Sequence, residues 1–134
     1  MPGQNRQPLD SAILDELLAT RQSKWNMVVV LHLRRETKRF SELQREIGSI
    51  SQKALTASLR ALERDGFVSR TSYATIPPRV DYALTELGTE ALAAFEAFEA
   101  FALAHWQNVL EARRLFDARL GLPPEPVLRL AASR

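Results

Sequence analysis

Residues 39–66 read RFSELQREIGSISQKALTASLRALERDG and have the pattern of two short helices joined by a tight turn. Ser41-Glu42-Leu43-Gln44 matches a capping box, which predicts that the first of these helices begins at Ser41. Gly48 can adopt the left-handed conformation that commonly ends a helix. Ser51 can cap the second helix, which we expect to end at Gly66. Two short helices with a glycine-containing turn are typical of a helix-turn-helix unit.

The sequence after this unit predicts a small β-wing. Residues 67–73 (FVSRTSY) and 79–84 (RVDYAL) both have strand character, and Pro77-Pro78 lies in the turn between them. Upstream, Lys38-Arg39-Phe40 has the character of a short extended segment. We therefore predict a mainly α-helical chain with a small β-wing, which is a winged helix-turn-helix fold.

Helices on both sides of this unit have more apolar surface than one small core can cover. Asp10 or Ser11 can cap a first helix with an apolar stripe, and residues 24–35 predict a second helix that is buried over most of its circumference. Thr85 can cap a final helix of about thirty residues, which should end by residues 121–124. We therefore predict a homodimer with N- and C-terminal dimerisation helices. The residues expected at the dimer interface are Ile13, Leu14, Leu17, Leu18, Phe95, Phe98, Val109 and Phe116.

These elements divide the chain into three predicted parts. Residues 1–8 are polar and rich in glutamine and proline, which predicts a flexible leader. Residues 9–120 form the winged helix-turn-helix domain with its dimerisation helices, and residues 121–134 form a C-terminal tail. The sequence indicates no role for residues 107–134. An apolar stretch long enough to span a membrane and a secretory signal are both lacking, so we expect a cytoplasmic protein without a membrane partner.

Composition and motifs argue against an enzyme. The 134 residues include no cysteine, which excludes disulfides, thiolate metal sites and thiol nucleophiles. His32 and His105 are far apart in the sequence, so we expect no metal site. A phosphate-binding glycine loop and a nucleophile with a plausible base are also lacking, and we expect no cofactor. Carboxylates such as Glu42 and Glu46 are interpreted as parts of solvated helix faces.

Positive charge is concentrated in the middle of the chain. The whole sequence has a net charge of +2, but residues 21–79 hold twelve Lys or Arg against five acidic residues, a net charge of +7. A basic block of this kind is typical of a segment that binds a polyanion, and double-stranded DNA is the partner we expect. A basic solvated surface would give the same pattern.

Five segments occur together in an order and spacing that are typical of one family. They are Lys24-Trp25, Arg39-Phe40-Ser41-Glu42-Leu43, Ile50-Ser51-Gln52-Lys53-Ala54-Leu55-Thr56, Leu59-Arg60-Ala61-Leu62-Glu63-Arg64-Asp65-Gly66, and Pro77-Pro78-Arg79-Val80-Asp81-Tyr82-Ala83-Leu84-Thr85-Glu86-Leu87-Gly88. With these segments the chain resembles the HxlR family of winged helix-turn-helix transcriptional regulators from about residue 11 to residue 106. The resemblance implies a bacterial-type transcriptional regulator rather than an enzyme. Relatives often respond to small reactive or aromatic compounds, so a small-molecule effector stays open as a partner, although no residue here specifies one.

The sequence departs from the family's pattern at two places. Many relatives have a cysteine near the start of the first helix, where this sequence has Ala12. A thiol switch, known in some members, therefore cannot be carried over. The usual Gly-Gly before Lys24-Trp25 is Gln22-Ser23 here, at the bend between the first two helices.

The helix over residues 51–65 presents the residues expected to read DNA. Leu55, Leu59 and Leu62 share its inner face on a helical wheel, and a polar face lies opposite. Glutamine can bond bidentately to adenine, lysine can donate to guanine, and the threonine methyl can contact the thymine methyl, while alanine allows close approach. A merely solvated helix would show the same pattern, but the wing and the resemblance favour base reading. The candidates are Gln52, Lys53, Thr56, Ala57 and Arg60.

Other candidates would contact the DNA backbone. Ser41 and Ser51 can each cap a helix whose N-terminal N–H groups can also hold a phosphate. Arg79 follows two prolines that limit motion of the wing, so we expect it to contact a phosphate or the minor groove. Lys38 and Arg39 are further candidates for backbone contacts, as is Arg70.

These observations together predict a sequence-specific DNA-binding homodimer on a roughly palindromic operator. Residues 51–65 would lie in the major groove and the wing, residues 67–84, on the backbone or minor groove. The alternative is a winged-helix module that binds nucleic acid non-specifically or that associates with proteins. The aromatic residues Trp25, Trp106, Tyr73 and Tyr82 are interpreted as packing residues rather than ligand contacts.

Overall fold

The computed structural model describes residues 11–18 and 23–124 of the chain. It contains five helices and three strands in this range: α1 (Ser11–Leu18), α2 (Ser23–His32), β1 (Lys38–Arg39), α3 (Phe40–Ile47), α4 (Gln52–Arg64), β2 (Val68–Tyr73), β3 (Arg79–Leu84) and α5 (Glu86–Leu120). They belong to two compact units, one extending to Glu96 and one beginning at Ala97, and α5 contributes residues to both. Asp10, the predicted leader and residues 125–134 of the predicted tail lie outside the described residues.

The core of the first unit lies where α2, α3 and α4 meet. Val29 and Val30 of α2 and Leu43 of α3 are fully buried, in agreement with the prediction that the second helix is central. This helix ends at His32, three residues before the expected end, because residues 33–36 turn the chain toward β1. The inner face of α4, one residue each from β2 and α5, and two residues between helices complete the core, with Leu55, Leu59, Leu62, Val68, Leu92, Leu33 and Ile50.

The start of α3 differs from the prediction. The helix begins at Phe40, and Arg39 occupies the cap position with an extended backbone. The carboxylate of Glu42 accepts a hydrogen bond from the Arg39 backbone N–H at 3.1 Å, so Glu42 rather than Ser41 satisfies a free donor at this end. Because Phe40 packs against the core, the helix starts one residue before Ser41 instead of at it. The predicted capping by Ser41 was wrong.

Several other predicted helix ends are confirmed, namely the start and end of α4, the end of α3 and the start of α5. Ser51 Oγ accepts a hydrogen bond from the Ala54 N–H at 3.0 Å, which caps α4. Gly48 and Gly66 have positive φ angles of 75° and 83° at the ends of α3 and α4. At the start of α5, Thr85 Oγ1 accepts from the Gly88 N–H at 3.0 Å and its hydroxyl donates to the Gly66 carbonyl.

The wing is a three-stranded antiparallel sheet in the order β1-β3-β2. Its two long strands agree with the predicted strands, and the extended segment Lys38–Arg39 adds the third by pairing with β3. Gly88 of α5 lies directly against this sheet, since a Cβ at this position would stand 2.0 Å from the Phe67 carbonyl oxygen. The close approach of α5 to the wing therefore requires glycine here. The predicted mainly α-helical winged helix-turn-helix fold is confirmed.

The final helix runs to Leu120 and is followed by Gly121 with φ +68°, as the sequence predicts. Within residues 11–18 and 23–124, no helix is both long enough and apolar enough to cross a membrane.

Candidate nucleic-acid interface

The outward face of α4 is polar and accessible, as predicted. Gln52, Lys53, Thr56 and Arg60 are exposed, and Ala57 is half-buried. Lys53 and Arg60 have no ion-pair partner in the described part of the chain. Among the described residues, no acidic group neutralises their charges, which are therefore available to a ligand.

A buried hydrogen bond between α2 and α4 was missed by the sequence reasoning. Ser58 is fully buried, and its hydroxyl donates to Asn26 Oδ1 at 2.6 Å. Because a buried hydroxyl is costly without a partner, this bond favours one rotation of α4 about its own axis. The one available signal was a serine at the inner face of a helix whose other inner residues are leucines. No feature of the sequence indicated that Asn26, 32 positions earlier, would be its partner.

The N-termini of α3 and α4 differ in their suitability for a phosphate. The first turn of α4 contains no acidic residue, and Ser51 is exposed at its start. The first turn of α3 contains Glu42, whose negative charge disfavours a second anion there. Ser41 is exposed in that turn, but it does not cap the helix. Of the two serines, Ser51 therefore has the better environment for a backbone contact.

Arg79 is held by two neighbours in the wing. Its Nε donates to Asp81 Oδ1 at 3.0 Å and its Nη2 donates to Asp81 Oδ2 at 2.8 Å, a bidentate pair. The guanidinium carbon lies 5.2 Å from the centre of the Tyr73 ring. The Arg79 side chain remains 46% exposed, whereas that of Asp81 is 7% exposed. The hydrogen bonds from Arg79, and the positive charges of Arg79 and Arg39, hold the pKa of Asp81 below its ordinary value.

The environment of Tyr73 differs from its prediction. It was expected to be a packing residue, but it is exposed and carries the Arg79 guanidinium on its face. Tyr82 packs against the core, as expected. Trp25 also packs there, with Lys24 Nζ 4.6 Å from its ring centre. Trp106, in the second unit, is half-buried beside Arg113.

Lys38 forms an ion pair with another residue of the chain. Its Nζ donates to Glu46 of α3, and its side chain is 11% exposed, so the structure offers it to DNA less readily than the sequence suggested. The hydrogen bond from Lys38 lowers the pKa of Glu46, and His32 Nδ1 lies 3.6 Å from the same carboxylate. Glu42 and Glu46 lie on the surface, as expected for parts of a solvated helix face, but each also has a structural contact, since one caps α3 and the other joins it to β1.

The remaining backbone candidates belong to the wing. Arg39 is exposed and is paired in register with Asp81, so both side chains lie on one face of the sheet. Arg70 is exposed on β2, and its Nη1 donates to Ser72 Oγ at 3.0 Å. In the described residues, no group of three or more His, Cys, Asp or Glu is arranged to hold a metal ion.

The residues predicted for a dimer interface are mostly exposed in the single chain. The four apolar residues of α1, namely Ile13, Leu14, Leu17 and Leu18, are all exposed. In the second unit Phe98 and Phe116 are at least half exposed, and Val109 is half-buried. Phe95 is different, because it packs against the core of the first unit and has less surface to offer a partner than the sequence suggested.

Comparison with known proteins identifies the family. The model of the HxlR-like helix-turn-helix family matches residues 21–109, which include α2 to α4, the wing and much of α5. The chain belongs to this family. The HTH-type transcriptional regulator YtfH of Escherichia coli is 43% identical over 106 residues, which cover 78% of this chain and 80% of the relative. The family and these relatives are transcriptional regulators and not enzymes, and this chain is a regulator of the helix-turn-helix type.

Solved structures show the same architecture. The YtfH transcriptional regulator from Salmonella typhimurium superposes with a TM-score of 0.66 at 35% identity, covering 78% of this chain and 91% of that chain. The redox regulator HypR in its reduced form gives a TM-score of 0.66 at 31% identity, covering 78% of this chain and 99% of that chain. The resemblance to the HxlR family that the sequence predicts is therefore confirmed.

Proposed function

We propose that this HxlR-like regulator binds a roughly palindromic DNA operator as a homodimer, with residues 51–65 in the major groove. The observation that carries the proposal is the division of α4 into two faces. Its inner face is fixed by buried leucines and by the bond between Ser58 and Asn26, and its outward face presents exposed polar side chains. A helix held in this way can present the same side chains to every site.

Base reading is assigned to the N-terminal half of α4. Gln52 and Lys53 are exposed in the first turn, and Thr56 follows one turn later. Glutamine suits adenine, lysine suits guanine, and the threonine methyl suits thymine. Ala57 has no long side chain to prevent close approach, and Arg60 lies one turn further along the same face. Ser51 at the cap can direct backbone N–H groups toward a phosphate.

The wing is assigned to the DNA backbone or the minor groove. Arg79 provides an exposed guanidinium that is already oriented by Asp81, and Arg39 lies on the same face of the sheet. These contacts would position the protein on any sequence, because phosphates are the same at every step. Binding should therefore weaken steeply as salt is added.

The dimer is assigned to the apolar surfaces of α1 and α5. On each of these helices, exposed leucine, isoleucine or phenylalanine side chains form an apolar surface of the kind that often marks an interaction site. A second copy would cover this surface and place two copies of α4 on the two halves of a palindrome. We place this activity in the cytoplasm, where such an operator is accessible.

A thiol switch is not available to this chain. HypR, one of the similar structures, is named a redox regulator, but this sequence contains no cysteine. A small-molecule effector is the kind of signal that the resemblance to the family leaves open, and no site is assigned to it.

Selection of genomic fragments tests the proposed function. The purified chain is incubated with random fragments of genomic DNA, and the captured fragments are sequenced. We expect one inverted-repeat motif to be enriched. Capture without a motif would support the alternative of a non-specific nucleic-acid binder, and no capture would support a winged-helix module for protein association.

A further inference from the structure

One face of the wing contains a buried carboxylate among basic and aromatic side chains. Strand register places Arg39 and Thr71 on the two sides of Asp81, and Tyr73 opposite Arg79. Directly paired residues of an antiparallel sheet share a face, and so do residues two apart in one strand. Asp81 therefore lies at the middle of a surface that otherwise carries two arginines.

The geometry of the pair leaves part of Arg79 available. Asp81 accepts from Nε and Nη2 of the guanidinium, which uses two of its five N–H groups. Two N–H groups on Nη1 and one on Nη2 are left for another acceptor. Since Arg79 is about half exposed and Asp81 is nearly buried, a ligand approaching from solvent meets the guanidinium and not the carboxylate.

Such an arrangement reduces the entropy lost on binding. A free arginine side chain loses rotamer freedom when it is fixed on a phosphate or in a groove. In the wing, Asp81 fixes the plane of the guanidinium from one side and the Tyr73 ring lies against it. Much of this ordering is therefore complete before a ligand arrives.

We propose that Asp81 is a positioning residue for DNA binding, which orients Arg79 toward the DNA and so strengthens binding despite its own negative charge. This inference rests on the proposed function, in which Arg79 contacts the backbone or minor groove. Simple electrostatics gives the opposite expectation, because removal of a negative charge near DNA should strengthen binding. The sign of the effect therefore separates the two explanations.

The test measures binding of the full chain to a random-sequence DNA duplex of about three helical turns. This probe is chosen because contacts to the backbone do not require a known operator. We expect Asp81→Asn to weaken binding about tenfold. The matched control is Glu36→Gln, which also removes one negative charge, from an exposed position in the turn after α2 and outside α4 and the wing, and it should leave binding unchanged or slightly tighter.

The same substitution in a variant that already lacks Arg79 separates the positioning of Arg79 by Asp81 from a general effect of Asp81 on the fold. When Arg79 is replaced by alanine, Asp81 has no guanidinium to orient, so Asp81→Asn added to Arg79→Ala should not weaken binding further. The double variant also avoids leaving an unpaired buried carboxylate. If Arg79→Ala alone fails to fold by circular dichroism, Arg79→Lys serves as the background, because lysine keeps the charge but cannot form the same planar fork.

Each outcome of these measurements supports or contradicts the proposed role of Asp81. Unchanged or tighter binding by Asp81→Asn, with weaker binding by Arg79→Ala or Arg79→Lys, would overturn the role of Asp81 and leave the wing contact intact. An equal loss from Asp81→Asn in both backgrounds would show that Asp81 acts through the fold and not through Arg79. If neither Arg79 variant altered binding, the wing contact in the proposed function would fail, and this inference would fail with it.

Discussion

Ser58 of α4 donates a hydrogen bond to Asn26 of α2, and the two residues join helices that also contribute buried apolar residues to the core. The bond lies on the face of α4 opposite the candidate DNA-reading residues. Its effect on DNA binding would therefore be indirect, through the orientation of the helix.

We expect Ser58→Ala to lower the free energy of unfolding by about 1–3 kcal/mol, because Asn26 loses its partner in a partly buried position. Urea unfolding followed by circular dichroism measures this change. Ser49→Ala, at an exposed serine outside the helices, is the control and should change stability by less than about 0.5 kcal/mol. Equal stabilities for the two variants would show that the bond does not contribute as described.

The homodimer predicts twice the chain mass by light scattering at micromolar concentration. Phe98→Glu should shift the protein toward the monomer, because a charge would be buried in the apolar interface. Ile76→Glu is the matched control, since Ile76 is 101% exposed on the wing and outside the proposed interface, and it should remain dimeric. A monomeric wild-type chain would contradict both the dimer and the two-fold operator.

The absence of cysteine predicts that a thiol-selective oxidant will not alter DNA affinity. Titrations before and after treatment measure this. Mass spectrometry must show that Met27, which is half-buried on α2, is not oxidised, since a sulfoxide would make that side chain polar. Loss of binding with both methionines intact would contradict this account of signalling.

The ion pair in the wing predicts a specific acid sensitivity. The pKa of Asp81 is lowered in the folded state, so its stabilising contribution is present above the ordinary pKa of the residue and is lost as the pH falls through the lowered one. Asp81→Asn should therefore flatten the decline of stability below about pH 4. Glu111 also has a lowered pKa, because of its hydrogen bond with Arg114, but that pair is exposed. Glu111→Gln should consequently have a smaller effect, and the reverse order in acid unfolding curves would contradict the assignment.

The sequence predicted those features that depend on neighbouring residues. The caps at Ser51 and Thr85 and the glycine at the end of α3 each depend on contacts within a few positions, and all three are present. The predicted start of α3 was wrong, although the residues that indicate it are neighbours in the sequence. Ser41 and Glu42 both suit a helix start, and the packing of Phe40 against the core decided between them.

Contacts between distant parts of the chain could not be predicted. Asn26 and Ser58 are brought together by the packing of α2 on α4, and Lys38 meets Glu46 only when β1 turns into α3. The pair of Arg79 and Asp81 is different, because residues two apart in a predicted strand lie on one face. The alternation of side chains between the two faces of a strand could therefore have predicted that pair, and with it the constraint on the Arg79 side chain.

The contrast between Lys53→Ala and Arg79→Ala, titrated on operator and scrambled duplexes, tests the central claim that α4 reads sequence while the wing positions the protein. Lys53→Ala should cost about 1–3 kcal/mol on the operator and reduce the operator-to-scrambled ratio. Arg79→Ala should weaken binding to both duplexes by similar factors. It should also reduce the slope of the logarithm of the binding constant against the logarithm of the salt concentration, by nearly one unit for each phosphate that the variant no longer neutralises. Circular dichroism must show that each variant is folded. An operator-to-scrambled ratio that Lys53→Ala leaves unchanged would contradict sequence reading by α4.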